Sequence, residues 1–191
     1  MLFKKTYCGS LRQHLEKYFG MVGTKRILGK GPTEKLHGDF YVLEIPPGSV
    51  RGCWVYATIG MSLDRIDNQI ELLIYSPQKD DSLVELLTFC GSYHRNCLPL
   101  NLHHTVNIGQ PWLKNSLCDH AFISLPYLEG ESLELFKYKD NTTHCYWLIP
   151  ITKEERDYKI EHGCEALEQL FESNNLDYLN PARQNLILDV K

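Results

Sequence analysis

Apolar positions in this chain recur with two periods. Leu11, Leu15, Tyr18 or Phe19, and Val22 are spaced by three or four, as are Leu83, Leu86, Leu87 and Cys90 with Cys97 further on, and Ile160, Cys164, Leu167 and Phe171. Each set makes one apolar stripe on a helix, so three amphipathic helices are predicted. A hydroxyl residue followed three positions later by Glu or Gln marks each start: Ser10 with Gln13, Ser82 with Glu85, Thr152 with Glu155. Such pairs can satisfy the free N–H groups of a first helical turn. Gly163 is expected to kink or divide the third helix. Between and after the first two helices the pattern changes to short aromatic and β-branched runs, at residues 40–45, 54–59, 70–75, 104–108, 121–125, 133–138 and 144–149. These read as strands. The links Pro46-Pro47-Gly48-Ser49, Asp64-Arg65-Ile66-Asp67-Asn68 and Asp140-Asn141 are short and turn-like, which favours antiparallel pairing. The order α-βββ-α-ββββ-α predicts an α+β fold: a mainly antiparallel or mixed sheet with helices packed on one face or at its ends.

A chain of 191 residues that is 43% hydrophobic can bury one sizeable core. The expectation is a single domain over residues 1–191, with a helix and basic linker in 1–37 and a sheet-and-helix body in 38–191. No apolar run is long enough to cross a bilayer, and MLFKKTYCGS lacks the pattern of an export signal, so a soluble cytoplasmic protein is expected. Seven cysteines at irregular spacing fit reduced, buried thiols better than a disulfide scaffold. The segment up to Lys35 carries a net charge of +6 and the remainder −10. An acidic body favours a basic partner. The basic segment lacks the interleaved aromatics of a base-stacking surface, so nucleic acid is disfavoured.

Candidate chemistry is sparse. Cys97, His103, His104, Cys118 and His120 are the densest group of potential metal ligands, but they lack the paired spacing of a zinc site, and no metal or cofactor is expected. Cys118 with His120 or His104 is the best thiol–imidazole pair, and a hydrolase or transferase built on it is the alternative reading. No Gly-x-Ser-x-Gly elbow surrounds Ser62. Gly29-Lys30-Gly31-Pro32 follows no strand and loses a donor at proline, so it is not read as a phosphate loop. No residue is assigned a catalytic role.

Two proline-marked strand ends carry aromatics: Pro111-Trp112-Leu113, and Ile123-Ser124-Leu125-Pro126-Tyr127-Leu128. Proline cannot donate a ladder bond, so such ends lie at an edge or bulge, beside an open sheet edge or groove. The run HTVNIGQPWLKNSLCDHAFISLPYLEG, followed by HCYWLIPITKEERDYKIEHGCEALEQLF and LDYLNPARQNLIL, resembles the suppressor of fused family, in particular its compact bacterial members. The resemblance extends faintly back to Met61. It implies a non-enzymatic domain that binds another protein, an extended peptide or a toxin, in the manner of an immunity protein. In the animal protein a peptide is captured by strand addition between two domains. The pattern carried over covers the stretch from His104 to Trp112, Asp119, and the sheet as far as Trp147. Pro111, Trp112, Leu113, Asp119 and Tyr127 are therefore the expected partner-binding residues. Replacing Trp112 and Asp119 together by alanine is expected to weaken partner capture while leaving thermal unfolding nearly unchanged.

Overall fold

A computed structural model of the chain describes residues 6–65 and 67–189; Ile66 of the turn named above, and Lys4 and Lys5 of the basic segment, lie outside them. The elements are α1 (Tyr7–Phe19), β1 (Thr24–Arg26), β2 (Tyr41–Ile45), β3 (Trp54–Ile59), β4 (Ile70–Ser76), α2 (Ser82–Asn96), β5 (Thr105–Asn107), β6 (His120–Ser124), α3 (Glu131–Glu134), β7 (Leu135–Tyr138), β8 (Asn141–Ile151), α4 (Lys153–His162) and α5 (Cys164–Ser173). The strands form one mixed sheet in the order β1-β2-β3-β4-β8-β6-β5, with β7 paired to the start of β8. The α+β class and the mainly antiparallel, mixed sheet are as expected. The single parallel pairing in it, β4 with β8, joins strands separated by α2 and everything up to β7, the long connection a parallel pair requires.

Alternation along the strands divides the interior in two. Tyr41, Leu43, Leu73, Tyr75, Phe122, Trp147 and Ile149 join Leu11, Leu15 and Phe19 of α1 and Leu167 and Phe171 of α5 in one cluster. Val42, Leu72, Ile74, Ala121, Ile123 and Leu148 join Leu83, Leu86, Leu87 and Cys90 of α2 in the other. Helices thus cover both faces, and the central strands read as nearly continuous apolar runs for that reason.

Three local readings change. The linker expected between α1 and the sheet contains β1, which pairs antiparallel with β2 from Thr24 opposite Glu44 to Arg26 opposite Val42. Only Thr152 with Glu155 forms the expected reciprocal cap; Thr152 Oγ1 accepts from Glu155 N at 3.2 Å and Glu155 Oε2 from Thr152 N at 2.9 Å. α1 starts one turn earlier than Ser10, capped by Thr6 Oγ1 accepting from Gly9 N at 3.2 Å. At α2 the acceptor is Asp80 Oδ1, 3.0 Å from Ser82 N. Gly163, at φ 93°, divides α4 from α5 as expected. β8 runs past its expected end at Ile149 and through Pro150, which faces Ala121. Odd-numbered residues of β8 bond to β6 in this register, so the missing N–H of Pro150 would have pointed away from the ladder.

Candidate functional site

β5 ends the sheet. Ile108 N–H donates to Asp119 O and Ile123 N–H to His104 O, both at 2.9 Å, so the even-numbered residues of this segment face β6. Thr105 and Asn107 therefore turn their N–H and C=O groups outward, and no strand among the described residues pairs with that side. The opposite edge strand, β1, is as short as β5 but charged, and Arg26 on it is tied to Glu44 and Asp81. Charge of this sort blunts an edge.

Beside β5 lies a groove of about 530 Å³, bounded on the other side by α2. Its walls carry apolar side chains that the fold leaves in water: Phe89 is 50% exposed, Tyr93 45% and Leu98 65%. Phe89 and Tyr93 are four residues apart, about 100° around the helix from the stripe that packs in the core, so α2 has a second apolar stripe. That spacing is present in the sequence, at Phe89 and Tyr93, beside the stripe of Leu83, Leu86, Leu87 and Cys90. Pro111 is exposed on the rim, and Trp112 forms part of the floor.

The five expected partner-binding residues do not meet. Trp112 is only 3% exposed and Leu113 is buried beside it, both packed in the cluster under α2. Removing the Trp112 indole would leave a core cavity, at a cost of about 3–5 kcal/mol, so the expected harmless Trp112→Ala does not follow from its position. Asp119 is partly exposed at the start of β6, where its Oδ1 lies 2.7 Å from His120 Nδ1. Tyr127 is on the other face of the sheet, its ring 6.2 Å from that of Trp147 and its hydroxyl donating to Glu168 Oε1 at 2.8 Å.

The nucleophile candidates are held in unreactive forms. Cys118 is buried, and desolvation pushes its thiol up to about 11, whereas a nucleophilic cysteine needs its pKa lowered. A second arrangement, legible only in three dimensions, sets Ser62 Oγ 3.2 Å from His94 Nε2. His94 Nδ1 accepts from Leu100 N at 2.9 Å, so the neutral ring carries its proton on Nε2 and donates to Ser62. Ser62 in turn donates to Ile70 O at 2.6 Å. Both protons run opposite to the direction a general base requires. Burial also lowers the His94 pKa to about 4, which keeps the ring neutral. Among the described residues no three His, Cys, Asp or Glu side chains are grouped closely enough to hold a metal ion. No described helix is long and apolar enough to cross a membrane.

The likeness to known proteins extends across nearly the whole chain. A crystal structure of a suppressor of fused homologue from Neisseria gonorrhoeae superposes with a TM-score of 0.81 and 33% identity, over 94% of this chain and 96% of that one. The structure of the Sufu–Fu complex matches with a TM-score of 0.70 at 10% identity, over 96% of this chain and 93% of that one. Drosophila Suppressor of Fused matches with a TM-score of 0.68 at 12% identity, over 94% of this chain and 51% of its own. In sequence, the immunity protein YqcF of Bacillus subtilis is 21% identical over 179 residues, 88% of this chain and 92% of that protein. The profile of the suppressor of fused protein family matches residues 38–184, which takes in the whole sheet from β2 onward, α2, and both walls of the groove. On that match, with the shared fold and the 33% identity of the gonococcal homologue, this chain belongs to the suppressor of fused family.

Proposed function

We propose that this protein is a non-enzymatic binding module of the cytoplasm that captures an extended segment of another protein, as an immunity protein neutralising a toxin. The observation that carries this is the outward-facing edge of β5 beside the apolar groove of α2. A strand laid along Thr105–Asn107 would gain main-chain bonds, and its alternate side chains would enter the groove over Phe89, Tyr93 and Leu98. Of the residues expected from the sequence, Pro111 shapes the rim and Trp112 the floor, Leu113 is buried beside Trp112, and the main-chain carbonyl of Asp119 accepts from Ile108 N where β6 meets β5. Tyr127 has no part in this groove. The name of the Bacillus relative supports the toxin setting, and the unreactive states of Cys118 and the Ser62–His94 pair support binding over catalysis.

Thr105→Pro is the direct test. It removes an outward N–H and leaves the bonds to β6 in place. In cells expressing a toxic protein encoded beside this gene, the wild-type chain should restore growth. Thr105→Pro, and separately Phe89→Asp with Leu98→Asp, should fail to restore it while keeping wild-type urea midpoints. Full protection by both variants would refute capture at this edge.

A further inference from the structure

The opposite face of the sheet holds a second cavity, of about 760 Å³, between α5 and the later half of β8. Tyr127, Trp147 and Tyr178 form one continuous aromatic wall of it, with Trp147 only 3% exposed. The Tyr127 and Trp147 rings meet at 73° with centroids 6.2 Å apart, and Trp147 and Tyr178 meet at 86° with centroids 5.1 Å apart. Helix α5 closes the remaining side with Glu165, Glu168 and Glu172, which stand on one helical face at spacings of three and four. Like charges at that spacing repel one another. Among the described residues, no Lys, Arg or His lines the cavity. The neighbouring Arg51 is engaged, its Nε 2.5 Å from Glu129 Oε1 and its Nη2 2.9 Å from Leu128 O. His103 Nε2 stands 3.8 Å from Glu168 Oε1 at the margin. Glu168 is fixed in place, accepting from Ser124 Oγ at 2.6 Å and Tyr127 Oη at 2.8 Å.

We propose that this aromatic, acid-rimmed cavity binds an arginine side chain carried by a basic segment of a partner protein. Ring faces carry the negative part of the aromatic quadrupole and attract a cation laid over them; Tyr127, 49% exposed, offers the open face, while Trp147 is covered by the rings that meet it edge to face. The charges α5 brings to the rim have the matching sign. The described acidic groups are too dispersed to chelate a metal ion, so the cation has to be large enough to touch rings and carboxylates together. A planar guanidinium does both, stacking on a ring while its fork bonds to a carboxylate, whereas a lysine ammonium is a compact point charge. The surface is separate from the β5 groove, so this inference stands or falls independently of the one above.

The probe is a fluorescein-labelled hexa-arginine peptide, followed by polarisation on the full chain. It should bind saturably at one site per chain, more tightly than hexa-lysine. Glu165→Gln with Glu172→Gln changes two exposed carboxylates and should weaken binding on the order of tenfold, about 1.4 kcal/mol. Tyr178→Ala should do the same, with circular dichroism verifying that it folds. Glu131→Gln with Asp140→Asn removes equal charge elsewhere, and Thr105→Pro alters the other groove; both should leave the affinity unchanged. Equal weakening by the Glu131/Asp140 pair, equal affinity for hexa-lysine, or no effect of the Glu165/Glu172 pair would each overturn the proposal.

Discussion

Glu71 is the charged group most at odds with its surroundings. It is buried in the sheet between the two cores and accepts from Thr58 Oγ1, Tyr7 Oη, and the backbone N–H groups of Gly60 and Met61. Burial raises its pKa to about 7 against the opposing effect of those bonds. A carboxyl whose folded pKa lies above its unfolded value stabilises the fold fully below the unfolded pKa and loses that contribution as pH rises through the folded one. Wild-type stability should therefore fall between pH 5 and pH 8 by roughly 3 kcal/mol more than that of Glu71→Gln, at about 1.36 kcal/mol per pKa unit. Urea denaturation across that range measures the difference, and parallel curves would contradict it. Thiol reactivity is a second residue-scale consequence. Cys97 is the exposed cysteine and Cys118 is buried with a raised pKa. Iodoacetamide at neutral pH should label Cys97 first in the folded protein, with Cys118 much slower because its thiol is buried and its pKa raised. Rapid labelling of Cys118 would revive the hydrolase reading. Neither residue's state could be read from neighbours in sequence, because the groups that bury Glu71 and Cys118 come from distant segments.

At the scale of elements, the most consequential join is between α4 and the segment after α5. Arg183 Nη1 and Nη2 donate to Glu155 Oε1 and Oε2 at 2.6 Å each, and Nη2 also reaches Pro150 O at 3.0 Å. Leu186 N adds a bond to Glu155 Oε1 at 3.2 Å. The tail is thus fastened to the cap of α4 and to the end of β8. Arg183→Ala strands a fully buried carboxylate and should cost about 3–5 kcal/mol, while Arg183→Met with Glu155→Gln should recover part of the loss. Equal midpoints for wild type and Arg183→Ala would rule out a buried ion pair here. The helices themselves were legible from spacing and the strands from their β-branched runs, since both periods are imposed by backbone geometry. The short β1 was not, because three polar residues form a strand only when a neighbour's edge is waiting. Ser10 and Ser82 have the right spacing for caps, yet Thr6 and Asp80 hold the acceptor positions, and the path by which the chain enters each helix decides between them.

For the whole molecule, charge separation along the chain suggests a basic arm, and folding engages part of it within the fold. Arg12 pairs with Glu16, Arg26 with Glu44 and Asp81, and Lys25 lies 4.6 Å from the centre of the Tyr41 ring. The chain should not be retained on DNA- or RNA-cellulose even at low ionic strength, and retention that falls steeply with salt would contradict this. The sequence alone determined the class of fold, the number of long amphipathic helices, the division at Gly163, and a family resemblance in the stretch from His104 onward, because each depends on periodicity or on residues close along the chain. The three-dimensional arrangement was needed to see that Trp112 is core while Phe89 and Tyr93 are surface, that Pro111 and Tyr127 lie on opposite faces, and that among the described residues no strand covers the outer side of β5. Those outcomes depend on which faces of a mixed sheet are covered. Long connections such as the one from β4 to β8 set that coverage, and no local pattern encodes it.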